Sequence, residues 1–523
     1  MKSYNLINAN IITMDSTHTV NSITISNGKI EKINSPNPNY ETKDLSGLTI
    51  IPGFIDAHFH LKNFGKRLEM VNLKKINSIN EIQKVIKSKI KSVNENEWII
   101  GFGWDQNLWQ DRKYPHKNIL NDISPNNPIY LTRIDGHSAW VNNVAIEKTG
   151  LSISTIDKVD GGSVINDCIM IDNAMNSFKS HLPTDTKKQV KSWIRTAVKE
   201  ANKMGITGVH DAWQDSTIVD AIKELINEKK FPIRCYGMLG SNDKMLLKKY
   251  FNDGHYNNDY YTIRSVKAFI DGALGSRGAA LHEPYCDDHN NCGLILISKE
   301  EFKKLTEACF KHNFQLNTHA IGDRGNSYVL NHYAKTVQSN NDRRWRIEHA
   351  QMVSDDDILM FKDYNILPSM QPSHCTSDMK WLPERIGQHR LHRISRWKTF
   401  IDKGAKIAGG SDCPIEDGNP LFEFYAAITR QDHEGFPNNG FQNQELVTPI
   451  EALKMLTTWG ANAEFQENSK GIIKSGYKAD LTILSDDITK INSGKLSEKD
   501  IEHIRDQASK SIKNYSNIIF DSI

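Results

Sequence analysis

The chain has 523 residues and a formal net charge of +2, with 38% of residues apolar and 24% charged. That length is too great for one small core and predicts roughly two to four domains, or one large barrel with additions. The lysines alternate with acids along helical faces such as Glu81–Lys91 and Thr186–Lys203, which excludes a basic nucleic-acid surface, and no apolar run is long enough to span a bilayer.

The amino terminus, MKSYNLINANIITMDS, has no apolar core of a leader and no small-residue cleavage site. Seven cysteines, an odd number, lack any repeated C-x-x-C spacing, so a reduced cytoplasm is the expected compartment. Short alternating runs predict strands at Asn5–Thr13, Ser22–Ile25, Lys29–Ile33 and Leu48–Ile51, with Asn27-Gly28 as a hairpin turn. These form an antiparallel β module over residues 1–53.

The module runs into IPGFIDAHFHL at 51–61. Its apolar run reads as a buried strand, and its end carries Asp56, His58 and His60. Alternate strand residues share a face, so His58 and His60 leave the backbone together, about 7 Å apart at Cα, close enough to hold one cation.

From about 62 to 172 the pattern is irregular and rich in Trp, Pro, Asn and Asp, and reads as an insertion after the first strand that lids a pocket. Trp104, Trp109 and Trp140 read first as its core anchors. After Pro183 helices and strands alternate. Helices are predicted at Thr184–Met204, Ser216–Lys229, Lys299–His312, Arg324–Gln338, Ser354–Asn365 and Ser395–Lys403. Strands are predicted at Ile206–His210, Ile233–Leu239, Ser265–Ile270, Gln315–His319, Trp345–His349, Leu367–Met370 and Ile407–Ser411. This repetition argues for a closed parallel barrel over 54–460. Helix Pro449–Trp459, strands Gly471–Ile473 and Ala479–Leu484, and a charged tail with a last strand at Tyr515–Phe520 make up 461–523, which returns to the first module.

The barrel strand ends carry His58, His60, His210, Asp211, Lys267, Asp271, His319, His349 and Asp412. Strand carboxyl ends converge on one mouth, and several histidines with a carboxylate suit zinc or another borderline divalent ion. Gly409-Gly410 lets the chain turn sharply before Asp412. His282, Cys286, His289 and Cys292 also crowd together and could hold a structural zinc, although the Gly, Pro, Asn and Asp around them favour a plain loop.

In order, IPGFIDAHFHL, VKAFIDGALGSRGAAL, NTHAIGDRG, RIEHAQ and GGSDCPIE resemble the amidohydrolase superfamily, in its third group, and are similar to N-substituted formamide deformylases. GWDQNLW, DGHSAWVN and KADLTIL extend the resemblance over about residues 3–485. It implies a deformed (β/α)8 TIM barrel, a small β-sandwich built from both termini, and one or two divalent ions, zinc first. Carried over by position, His58, His60, Lys267, His319, His349 and Asp412 are the implied metal ligands. Lys267 is carboxylated to bridge two ions in that reading, and an interior lysine paired with Asp271 is the alternative. Asp56 shares the parity of the histidines and is expected behind the ligands.

The chemistry implied is hydrolysis of a non-peptide carbon–nitrogen bond in a small amide or formamide, by water whose pKa a metal lowers toward about 7. Asp412 serves as general acid and base, with a helix cap as its alternative. Trp104, Asp105, Asp135, His137 and Arg277 are the implied substrate contacts, although Arg277 could pair only with a carboxylate and Asp135 could only cap a turn. Other readings of the same site are another carbonyl or cyclic amide substrate, or a silent metabolite-binding regulator. The expected partner is a small molecule, with neither nucleic acid nor membrane, and a homodimer is the assembly to test. The family's closing hydrophobic strand is replaced here by the charged segment Asp486–Lys513.

Overall fold

The computed structural model describes every residue except 1–2, 16–18, 135, 137, 160–161, 180–181, 183, 340 and 491–523. The tail strand expected at Tyr515–Phe520 and most of the charged segment therefore lie outside the described residues. The chain divides into two compact units, Met1–Phe64 with Ile194–Ile523, and Gly65–Trp193.

The first unit contains eight parallel strands hydrogen-bonded in chain order: Phe54–Phe59, Ile206–Gln214, Arg234–Gly240, Tyr261–Phe269, Gln315–Ala320, Arg346–His349, Leu367–Met370 and Ala408–Gly409. Past the short eighth strand, Asp412 N donates to His58 O at 2.7 Å and His60 N to Cys413 O at 2.9 Å, closing the barrel onto its first strand. Gly410 permits this approach, since a Cβ there would lie 2.5 Å from His58 N and 2.6 Å from Asp56 Oδ1. Helices between the strands cover the sheet, as right-handed parallel connections require. Their starts are written locally: Lys299–Lys311 begins with a capping box of Ser298 and Glu301.

Among the differences from the sequence reading in this barrel, two follow the second and third strands. The second strand runs on to Gln214 because its polar end is satisfied internally: Asp211 accepts from Leu61 N, and Tyr261 Oη donates to Gln214 Oε1. Helix Lys244–Asp253, capped by Asp243, follows the third strand, where the sequence reading placed no helix.

Both ends of the chain meet in a six-stranded sheet of Tyr4–Ile11, Val20–Ser26, Lys29–Ile33, Glu41–Asp44, Thr49–Pro52 and Leu481–Leu484. It is mixed and not antiparallel: Tyr4–Ile11 pairs in parallel with both Glu41–Asp44 and Thr49–Pro52. Leu6, Ile23, Ile50, Ile473, Leu481 and Ile483 form its core. The strand expected at Gly471–Ile473 does not form, although Ile473 packs there.

The second unit is not irregular. It holds its own six-stranded sheet, with Val71–Asn72, Ile99–Trp104 and Ile129–Arg133 parallel and Ser138–Val141, Ile169–Asp172 and Gly162–Ile165 added antiparallel. Trp104, Trp109 and Trp140 cluster at its centre with ring centroids 6.1 to 6.3 Å apart, Trp104 stacked on Trp109 and edge-on to Trp140. Among the described residues, no helix is long and apolar enough to cross a membrane.

Candidate metal centre

His58 and His60 leave the end of the first strand on one side, as their parity requires, with ring centroids 5.4 Å apart. Asp412 arrives from the eighth strand with Oδ1 3.0 Å from His60 Nε2 and 3.5 Å from His58 Nε2. Behind them the buried Asp56 accepts from Ser411 Oγ at 2.6 Å, Ser411 N at 3.1 Å and His58 N at 3.0 Å. It thereby fixes the turn that delivers Asp412. Burial pushes the Asp56 carboxyl up to about 7 against those hydrogen bonds. Asp412 itself is in the left-handed region at φ 57°, and His349 at φ 74°, strain of about 1–3 kcal/mol each that the surrounding contacts must hold.

Two charges inside the barrel orient His58. Its Nδ1 donates to Glu348 Oε2 at 2.5 Å, and because a carboxylate only accepts, Nε2 is left free toward Asp412. Glu348 is paired with Arg346, whose Nε lies 2.8 Å from Glu348 Oε1. Arg346 also donates to Ala57 O at 2.6 Å, Ser369 Oγ at 2.8 Å and His210 Nδ1 at 2.8 Å. The network continues from His210 Nε2 to Glu464 Oε1 at 3.4 Å, and Lys470 Nζ lies 2.6 Å from the same oxygen. His210 is thus in mid-strand, part of a buried charge network beneath the mouth. Glu348 would lose its charge by burial alone, but Arg346 and His58 hold its pKa well below the usual carboxylate range.

His319 and His349 stand beside this group, their rings 4.6 Å apart, and His349 lies 4.8 Å from the His58 ring. Gln371 Oε1 accepts from His349 Nδ1 at 2.8 Å, which leaves that ring's Nε2 free as well. His319 Nε2 instead faces Gly272 O at 3.4 Å. Burial and the nearby Lys267 charge depress His58 to about 4 and His319 to about 3, and burial with the neighbouring imidazoles puts His349 well below its ordinary value. All three rings are therefore neutral at pH 7, the form a metal binds.

Lys267 is fully buried, with Nζ 3.3 Å from His58 Nε2. Burial first, then Arg346, lower its pKa to about 8 against Glu348 and Asp412. Asp271 is not its partner: that carboxylate accepts from Ala280 N, Ile321 N and Gly322 N. Asp412 is opposed by burial, yet His58, His60 and His349 hold it well below the usual range. Within 4.8 Å of one another, donor atoms gather in two groups, His58–His60–Asp412 and His349–His374–Asp412. Neutral imidazoles with free nitrogens around an ionised carboxylate fit a divalent ion.

Sequence reasoning passed over His374, Glu348 and Arg346. His374 lies beyond its strand, in helix Pro372–Asp378. The signal was MQPSH, where proline starts a helix directly after a barrel strand. For the other two it was charge alternation in RIEH, because charges in a strand covered on both faces must find each other.

The expected substrate contacts are placed variously. Asp135 and His137 lie outside the described residues. Trp104 is buried in the core of the second unit with Nε1 donating to Leu131 O at 2.8 Å, so its ring is a core anchor there. Asp105 accepts from Asn107 N and pairs with Arg133 at 3.0 Å. Arg277 pairs with Asp287 at 2.9 Å. In the His282–Cys292 segment, His282 meets Ser327 and Cys286 meets Arg390, and among the described residues none of these joins a metal-binding group. Beside His60, a cavity of 340 Å³ is lined by His60, Lys62, Asn63, Asp211, Trp213 and Phe269.

A parallel barrel with histidines and an aspartate gathered at its strand ends defines the class of metal-dependent hydrolases. The chain belongs to the amidohydrolase family, whose profile matches residues 41–507. It is 30% identical over 479 residues to YtcJ of Bacillus subtilis (strain 168), with 89% of each chain covered. It is 24% identical over 528 residues to an N-substituted formamide deformylase of Arthrobacter pascens, covering 95% of this chain and 96% of that one. Among solved structures, a metal-dependent hydrolase from Pyrococcus horikoshii OT3 superposes with a TM-score of 0.81 at 26% identity, covering 95% of this chain and all of the other.

Proposed function

We propose that this protein hydrolyses the non-peptide carbon–nitrogen bond of a small amide or N-substituted formamide. The observation that carries the reading is Asp412, an ionised carboxylate with one oxygen on His58 and His60 and the other toward His374. His58, His60, Lys267, His319, His349 and Asp412 would hold one or two divalent ions, zinc first. A bound ion would lower the pKa of water toward about 7 and polarise the substrate carbonyl. Burial lowers Lys267 to about 8, which raises the share of neutral amine, the form that carboxylation requires.

Asp412 accepts a proton from the attacking water and returns it to the leaving nitrogen, which departs as the amine. Glu348 holds the His58 proton on Nδ1, which leaves the Nε2 lone pair to serve as a ligand for an ion. The cavity beside His60 offers Trp213 and Phe269, ring centroids 5.3 Å apart, as an apolar wall for the substituent on nitrogen. The odd number of cysteines without a repeated spacing supports a reducing compartment such as the cytoplasm.

The test is metal analysis of protein expressed with zinc, followed by turnover on a panel of N-formyl, N-acetyl and cyclic amides. Asp412→Asn should lower turnover by about 10²–10⁴ on any substrate found. A protein that takes up no divalent metal, or an Asp412→Asn variant with undiminished turnover, would refute the reading.

A further inference from the structure

Asp412 is two-sided, and only one side is used by His58 and His60. On the other, Oδ2 faces His374 Nε2 at 3.8 Å. That nitrogen is buried and has no hydrogen-bond partner among the described residues. Its next polar neighbour is Glu416 Oε1 at 4.0 Å, and neither distance is a hydrogen bond. A buried ring nitrogen left without a partner is costly, and its surroundings supply only acceptors and another imidazole. The His374 ring lies nearly parallel to His349, at 17° and 5.9 Å between centroids.

The placement is built, not incidental. The helix carrying His374 is pinned at its start by the buried Glu423, which accepts from Ser373 N at 3.0 Å. Gln371, one residue before that helix, holds His349 Nδ1 and so turns its Nε2 to the same space. Donor atoms of His349, His374 and Asp412 all lie within 4.8 Å of one another. Ligands about 2.0–2.2 Å from a tetrahedral ion are themselves some 3.3–3.6 Å apart, so little movement would close the group around one.

We propose that His349, His374 and Asp412 Oδ2 form a second divalent-cation position, with His374 as a ligand and the Asp412 carboxylate shared with the His58–His60 position. Two imidazoles and a carboxylate suit zinc, cobalt or manganese. Glu416 adds negative charge at its edge. The inference rests on the metal-dependent reading above but assigns a ligand outside the set proposed there.

The experiment uses the full chain, stripped with a chelator and reloaded with zinc or cobalt. Bound equivalents are counted by elemental analysis, and imidazole ligands per ion by X-ray absorption. His374→Ala should lose one equivalent relative to the wild type, or bind it at least about 10-fold more weakly. It should keep the remaining metal and show a smaller zinc-induced rise in Tm, with an unchanged Tm when stripped. His374→Phe keeps a ring against His349 without a donor, and is read in its place if the alanine variant does not fold. A wild type that binds metal while the His374 variant binds the same equivalents with the same affinities would overturn this inference and leave the metal-dependent reading standing. A stripped wild type that takes up no divalent ion would overturn both.

Discussion

Replacing Glu348 by glutamine removes a charge from the barrel interior and turns one acceptor into a donor. Glu348 Oε2 accepts from His58 Nδ1 and from Arg346 Nη2, and Oε1 lies 2.8 Å from Arg346 Nε. A glutamine keeps only one of these oxygens and puts an amide group in place of the other. If its oxygen stays on Arg346, its amide group faces His58 Nδ1, and the ring must move its proton to Nε2, the nitrogen that points at Asp412. If the oxygen stays on His58, two donors face each other at Arg346. The first outcome should weaken metal binding 10–100-fold, about 1.4–2.7 kcal/mol, the usual effect of losing a partner behind a histidine ligand. Both leave the fully buried Arg346 guanidinium without its countercharge, at about 3–5 kcal/mol of folding stability. Competition for zinc with a chromophoric chelator reads the first quantity, and urea unfolding of the stripped protein reads the second. A variant with lowered stability but wild-type zinc affinity would rule out the first outcome and the tautomer change it requires, and one unchanged in both would refute the network itself.

Lys267→Ala should lower metal content toward one ion, with activity partly restored by short carboxylic acids that can occupy the place of a lysine carboxylate. Unchanged metal occupancy would show that no such bridge exists. Glu464→Gln tests the far end of the charge network by pH. Burial raises this carboxyl, but Lys470 and His210 prevail and lower it to about 2 from 4.5. Because the folded pKa lies below the unfolded one, its stabilisation is present above about pH 4.5 and is lost as pH falls toward 2. The variant should therefore unfold about 3 kcal/mol more easily at pH 7 and show a flatter acid limb in urea titrations. An acid limb as steep as the wild type's would sink that assignment.

The strand ends that matter were legible because parallel barrel strands are short apolar runs that stop where the chain turns polar. His58, His60, His319, His349 and Asp412 all fall at such stops. Leu367–Met370 is read with its observed bounds for the same reason. Where a strand continues through buried polar residues the cue fails: Asp211 and Gln214 look like a strand's end, and the partners that keep them inside, Leu61 N and Tyr261 Oη, are distant in sequence. The second unit was illegible for a related reason. Its strands are mostly four to six residues, interrupted by glycine and tryptophan, and are ordered only by pairing with one another.

Local sequence determined which residues could carry the chemistry, because strand parity and strand ends are properties of a few consecutive residues. It also determined the start of helices such as Lys299–Lys311, through side chains within one turn of their caps. Tertiary structure alone decided how those residues are used. The parallel pairing of Tyr4–Ile11 with two later segments depends on chain closure, as does the arrival of Asp412 between His60 and His374. The same is true of Arg346 and Glu348, two adjacent charges in one strand whose effect on His58 exists only once the barrel has closed around them and excluded the water that would have screened them.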